Sequence, residues 1–362
     1  MLTSIETSSP PFIVTQQKAA EELKQRMSGS ATGRMIDMAA AHSGIEKRHI
    51  IIPDADKDST EKFYTSEAGY LKPDTQSRMN EYEKWTKILT KEAVQKIFNS
   101  NEIKPEQIDK LVTISCTGFY APGFDYHIIN EFNLNLSIKR THIGFMGCAA
   151  SLIGVNNVYE TMNSSINGHQ NTLLISIELC SIHLQTEASR DNILANMIFA
   201  DGCAAALFSM QKEKSNSGLK IQNSFSFLFR DSQYFMGWKI GNYGFEMTLS
   251  PELPKIILNN ASPVLKNYLN QCGLKISDIK HWALHPGGRA ILDSLQNGLE
   301  LSDEQMIPSR EVLRDFGNMS SASILYVLKN IQDKKIIKTG DYCCAVAFGP
   351  GLTMEVVLFQ GV

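Results

Sequence analysis

The chain has 362 residues, 43% of them hydrophobic and 20% charged, and a formal net charge of −3. This ordinary soluble-globular balance gives no electrostatic basis for binding nucleic acid or an anionic membrane surface. The longest apolar runs, at 203–208 and 343–348, fall far short of the roughly 20 residues of a membrane-spanning helix.

In chain order, the start shows no basic stretch followed by an apolar one, so no secretory signal is read and a reducing cytoplasm is expected. Residues 16–29 predict a helix. Residues 50–78 mix Pro, Asp, Lys, Ser and Thr and predict a loop region. Residues 79–100 predict a longer amphipathic helix, with Tyr82, Trp85, Ile88, Leu89, Ala93 and Ile97 at helical spacing. A buried strand at 111–116 leads into a loop with Gly118, Pro122 and Gly123. A helix from Cys148 to Met162 follows, then buried strands at 172–177 and 203–208. The polar stretch 211–218 is the natural boundary, dividing the chain into halves 1–212 and 213–362. Beyond it come a strand at 219–229, a helix at 252–270, a strand ending at His285 and a helix at 287–298. Asn318, placed as an N-cap, opens another helix to Ile331, and strands at 342–347 and 354–359 flank Phe348-Gly349-Pro350-Gly351. Strands alternating with helices on both sides of the boundary predict two stacked α/β halves.

Seven cysteines make an odd number, form no CxxC pair and lie mostly in apolar segments. They read as free thiols rather than as a disulfide framework or a metal site. No dinucleotide-binding or P-loop glycine pattern occurs, so no cofactor is expected. One cysteine stands apart. Gly144-Phe145-Met146-Gly147-Cys148-Ala149-Ala150-Ser151 places Cys148 in a sharp glycine turn after a strand end and before an apolar helix. The helix dipole and free N–H groups there favour the thiolate, whereas an arbitrary cysteine is usually a buried structural one.

Two later segments each put one polar side chain between an apolar element and a glycine turn. They are Leu284-His285-Pro286-Gly287-Gly288 and Gly317-Asn318-Met319-Ser320-Ser321. If His285 reaches Cys148, an imidazolium–thiolate pair exists near neutral pH. A cysteine–histidine pair serves proteases and condensing enzymes alike. Asn318 separates them, because an amide beside His285 supplies a second donor to the oxygen of an enolate, the species left when a malonyl thioester loses CO2.

These motifs, with Phe348-Gly349-Pro350-Gly351-Leu352-Thr353, resemble the chalcone synthase-type (type III) polyketide synthases, in the same order and spacing from about residue 10 onward. The resemblance implies a thiolase-type αβαβα fold of two similar halves and a homodimer. It also implies an acyltransferase that extends a CoA-linked starter with malonyl-CoA and cyclises the product. Cys148 would carry the chain, with His285 and Asn318 promoting decarboxylation. Phe199 matches a gatekeeper, and Met247 a second, with Phe245 the competing position. Cys116, Thr117, Cys180, His183 and Ser320 fall on the walls of the reaction cavity. His183 reads equally as a ligand for a polyketide carbonyl and as a satisfied core histidine. Residues 118–125 resemble a dimer loop, with Ala121 where plant members carry a methionine and Phe119, Tyr120 and Phe124 as an aromatic patch.

One departure concerns the CoA mouth. Met35, Met38 and His42 stand where plant members have cations, which leaves Arg34, Lys47 and Arg289, with Arg48 nearby, as the candidates for CoA phosphates. An acyl carrier protein is therefore a second candidate donor. The competing readings are a single-condensation β-ketoacyl carrier-protein synthase and, more remotely, a non-catalytic thiolase-fold binding protein. A cysteine protease fits poorly, with Asn318 only 33 positions beyond His285.

Overall fold

Strands whose residues are buried on both faces form the frame. Lys110–Ser115, Asn171–Leu179, Asp201–Ser209 and Tyr342–Gly349 are buried almost throughout, which is why they read as unbroken apolar runs rather than alternating ones. The computed structural model describes residues 1–27, 29–55, 59–164, 171–210 and 218–362. Nine strands hydrogen-bond in the spatial order Ile279–Leu284, Tyr342–Gly349, Thr353–Gly361, Leu219–Leu228, Leu2–Ser8, Asp201–Ser209, Asn171–Leu179, Lys110–Ser115, Lys139–Gly144. The first four and the last five are joined through the single pair Leu2↔Leu219.

Successive residues of a strand face opposite ways, and that alternation assigns the layers. Val112 and Ile114 from one part of the sheet, and Cys343, Ala345 and Ala347 from the other, share one core with the helices Ala150–Ser164 and Ser323–Asp333. The intervening Leu111 packs beneath the outer helix Thr75–Ser100. Cys344, Val346 and Phe348 pack beneath Ser262–Gln271 and Arg289–Leu299. The order is helix, sheet, helix, sheet, helix. This is the thiolase-type αβαβα architecture, and it places the start of both inner helices at the centre of the molecule.

The helix expected at 16–29 ends at Arg26, and a second helix, Ser30–His42, begins after Gly29. The long helix starts earlier than expected, at Thr75, because Asp74 caps it by accepting from the Ser77 N–H at 2.8 Å. The segment 252–270 is interrupted by a π-turn at Ile257–Ala261 ahead of Pro263, which has no N–H to give the preceding turn. Helices Arg190–Ile198 and Asp303–Phe316 and the hairpin Met236–Gly241/Gly244–Leu249 add to the expected elements. All seven cysteines are free. Positions 211–217 of the expected boundary lie outside the described residues. No described helix is long and apolar enough to cross a membrane.

Candidate active site

Backbone sterics build the cysteine elbow. Phe145 and Gly147 have φ of 58° and 64°, and a Cβ on Gly147 would lie 2.2 Å from the Pro350 ring. Only glycine lets the Gly-Pro-Gly turn close over the elbow here. Cys148 follows in the turn Gly147–Ala149 and is 7% exposed. Its Sγ lies 3.6 Å from Ser320 Oγ. His285 continues the strand Ile279–Leu284, its N–H donating to Val346 O at 2.9 Å. Both of its ring nitrogens are buried without a partner.

Contrary to the expectation, Asn318 does not cap a helix. It forms a parallel bridge with Phe199, and its Oδ1 accepts from Ser320 N–H at 2.8 Å. The inner helix begins only at Ser323, after the turn Ser320–Ala322. Asn318 Nδ2 makes a long contact, 3.4 Å to Gly287 O, and the amide also interacts with the Cys148 thiol. Gly317, at φ 72°, makes the sharp entry possible.

Two cavities meet at Cys148. The larger, about 460 Å³, is lined by Cys148, His285 and Asn318 and opens past Met35, Met38 and His42. The smaller, about 160 Å³, is lined by Cys148, Cys116, Thr117, Cys180, His183 and Ser320. Phe199, Met236 and Met247 line both. Phe245 lines only the smaller and is 1% exposed, so of the two competing positions it is Met247 that shares the junction with Phe199, together with Met236. The three polar residues that the motifs singled out thus surround one space.

The electrostatics differ from the expected ion pair. Burial pushes the Cys148 thiol up to about 12, although Ser320 and Asn318 pull the other way. Burial brings His285 down to about 3. Removing both groups from water favours the neutral thiol and the neutral imidazole, against the pull of the helix dipole. His183 is likewise resolved. Its Nδ1 accepts from Phe245 N–H at 2.9 Å, so its Nε2–H donates to Thr117 O at 2.7 Å. The ring stacks on Phe245 at 4.2 Å and burial lowers its pKa to about 3. It is a satisfied wall histidine with no free nitrogen for a ligand.

Of the expected CoA cations, only Arg289 lines the mouth, 3.6 Å from Asp293. Arg34 is exposed on the helix Ser30–His42 and Lys47 lies on the strand Lys47–Ile50, and neither lines either cavity. Arg48 is 5% exposed and hydrogen-bonded to backbone, away from the mouth. Arg190, which motif reading passed over, lines the mouth instead. In the aromatic loop, Phe119 is 53% exposed, but Phe124 is buried and the Tyr120 hydroxyl bonds Thr86. Two further neighbours escaped notice. Glu178, buried behind the cavity wall, accepts from Cys116 N–H at 2.9 Å and Thr117 Oγ1 at 2.8 Å. Trp238 donates to Cys116 O at 2.8 Å. A carboxylate within an otherwise apolar strand was the signal for the first.

Two family descriptions match. Residues 60–225 match "FAE1/Type III polyketide synthase-like protein" and residues 220–362 "Chalcone and stilbene synthases, C-terminal domain". An alpha-pyrone synthesis polyketide synthase-like protein, Pks18, of Mycobacterium tuberculosis is 31% identical over 99% of this chain and 91% of its own length. The chain belongs to the type III polyketide synthase family. Solved structures agree. PKS-I of the brown alga Ectocarpus siliculosus superimposes with a TM-score of 0.93 at 28% identity, covering 100% of this chain and 98% of its own. The 1,3,6,8-tetrahydroxynaphthalene synthase of Streptomyces coelicolor gives 0.88 at 25% identity, covering 99% of each chain. This synthase is accordingly an acyltransferase that makes carbon–carbon bonds by decarboxylative Claisen condensation onto an acyl thioester.

Proposed function

We propose that Cys148 holds the starter and the growing chain, and that His285 and Asn318 act together on malonyl-CoA. The observation that carries this reading is the position of Cys148 at the meeting of two cavities, with both donors on the larger one. In loading, the Cys148 proton passes to His285, the sulfur attacks the starter carbonyl, and the CoA thiolate leaves with that proton. Malonyl-CoA then occupies the larger cavity. Loss of CO2 drives the electron pair onto the thioester oxygen, where an imidazole N–H and Asn318 Nδ2–H both donate. A histidine held neutral by burial suits a donor that need not be a cation. The resulting carbanion attacks the acyl carbon and Cys148 leaves as thiolate; the lengthened chain, now a CoA thioester, is taken back by that thiolate with release of CoA for the next round. The final ring closure releases the product.

The neutral resting pair has a consequence in the free enzyme. Alkylation of Cys148 by iodoacetamide is expected to keep accelerating as pH rises beyond the ordinary thiol value of 9.0. A rate already at its plateau at neutral pH would show the ion pair instead.

The smaller cavity favours a slender starter. From Cys148 it continues along Val14 of the strand Phe12–Thr15 and Ala19 and Leu23 of the helix Gln16–Arg26, with Lys18, Glu22 and Arg26 beside them; each methylene buried on the apolar part contributes about 0.8 kcal/mol. The His183 ring narrows the wall against a rigid aromatic. Incubation with malonyl-CoA and a panel of acyl-CoA starters, followed by mass spectrometry, tests this. A medium-chain acyl-CoA should show the higher kcat/KM, and a clear preference for an aromatic starter would contradict it.

Arg190 and Arg289 are the mouth cations for the phosphates of CoA. The exposed Met35 and Met38 beside them, 40% and 63% accessible, leave an acyl carrier protein as a second donor. The active species is a homodimer, supported by the adjoining exposed side chains Phe119, Phe145 and Met146, an apolar patch that a monomer would leave in water. Light scattering should give twice the 40.4 kDa chain mass. An active monomer at micromolar concentration would refute it.

A further inference from the structure

We propose that Arg48 is a positioning residue that holds the gate residue Phe199 and the decarboxylation donor Asn318 in one seam. This rests on the role proposed above for Asn318 and on the place of Phe199 on the walls of both cavities. Arg48 lies on the strand Lys47–Ile50, and its Nη1 donates to Asn196 O at 2.6 Å and Phe199 O at 2.8 Å. These carbonyls close the helix Arg190–Ile198. Directly beyond them, Asn318 N–H donates to Ile198 O at 3.0 Å and Ala200 N–H to Asn318 O at 2.9 Å. The same arginine touches the other side of that bridge. A Cβ on Gly317 would lie 2.9 Å from Arg48 Cγ and 3.0 Å from Cδ, so its methylenes lie flat against the turn that delivers Asn318.

Arg48 also lines the smaller cavity, and Asp201 favours its charge from beyond ion-pair distance. Among the described residues no carboxylate reaches Arg48 within ion-pair distance, and its Nε is buried without a partner. The nearby Asp201 is occupied by Ile51 N–H and Ser181 N–H, each at 2.7 Å, and by the Ser181 hydroxyl. A guanidinium buried on carbonyl partners alone is an expensive way to fill space. What it supplies that an apolar residue cannot is a pair of directed bonds ending at Phe199, with a stem packed against Gly317. Phe199 lines both cavities and Asn318 the larger, so displacement of this seam moves the gate and the donor together. The Cys148 elbow is built on other elements and would stay in place.

The test uses full-length Arg48→Gln and Arg48→Lys beside Asn318→Ala. Four quantities are read: acylation of Cys148 by mass shift, CO2 release from malonyl-CoA, KM for malonyl-CoA, and the thermal unfolding midpoint. A misplacement of this kind slows CO2 release by about tenfold or more, and Arg48→Gln should do so with acylation rate and KM within about threefold of wild type. Arg48→Lys, which keeps the stem and one donor, should recover part of the loss. Equal losses in acylation and CO2 release, no change in either, or an Arg48→Lys protein that does not fold would each overturn the proposal. If Asn318→Ala separates the two steps and Arg48→Gln does not, the Arg48 assignment alone is wrong. If Asn318→Ala fails to separate them, the division of roles fails first and the Arg48 proposal falls with it.

Discussion

Cys148→Ala should abolish product formation while leaving the fold intact. The side chain is 7% exposed and its polar neighbours are Ser320 Oγ, 3.6 Å away, and the Asn318 amide. Alanine fits the same elbow, since the backbone there is set by Gly147 against Pro350 rather than by the thiol. The loss of stability is that of one buried sulfur, about 1 kcal/mol, and the unfolding midpoint should move by only a few degrees. Chemistry has no such reserve. Cys116 and Cys180 line the same cavity, but burial raises both thiols well above the ordinary value, and Cys116 Sγ accepts from Gly147 N–H at 3.1 Å. Neither lies at the junction with the cavity that holds His285 and Asn318. Residual product above about 1% of wild type in a pure preparation would mean that another group can carry the chain.

Asn318→Ala should remove malonyl decarboxylation far more than starter loading. Loading needs the Cys148 sulfur and a proton acceptor, and both remain. Decarboxylation places charge on an oxygen that His285 and Asn318 share, and losing one such donor costs about 10²–10³ in rate. Burial disfavours the charged form of His285, so it is a poor substitute for the lost donor. Acylation of Cys148 should stay within a few-fold of wild type while CO2 release collapses. Equal loss of both would assign Asn318 to the elbow rather than to the enolate.

How far these residues could be read from the chain depended on what made each one special. Cys148 was legible because its surroundings are local: a positive-φ glycine, a turn and a helix start within a few positions. The strands were legible because burial on both faces leaves unbroken apolar runs. His285 and Asn318 were visible as polar breaks beside glycine, but the backbone setting of Asn318 was misread. Its bridge to Phe199 joins segments more than a hundred residues apart, and no local pattern encodes that. The ionisation of the pair was also beyond local reading, since desolvation depends on how the cavity closes and not on the helix that follows. The same holds for His183, whose nitrogens are taken by Thr117 and Phe245 from distant segments. Of the expected mouth cations, Arg289 lines the larger cavity and Arg34 and Lys47 line neither, for a simpler reason. Arg34 and Lys47 lie near the mouth in sequence, whereas Arg190 reaches it from another helix.

The central claim, that Cys148 is the acyl carrier at the meeting of the two cavities, is tested most directly on the unmodified protein. It would be incubated with a medium-chain acyl-CoA without malonyl-CoA, digested under acidic conditions, and its cysteine peptides weighed. The account predicts a single acyl increment on the peptide bearing Cys148, which disappears and is replaced by product when malonyl-CoA is added. An increment on the peptide of Cys116 or Cys180, or one on Cys148 that malonyl-CoA does not discharge, would contradict it.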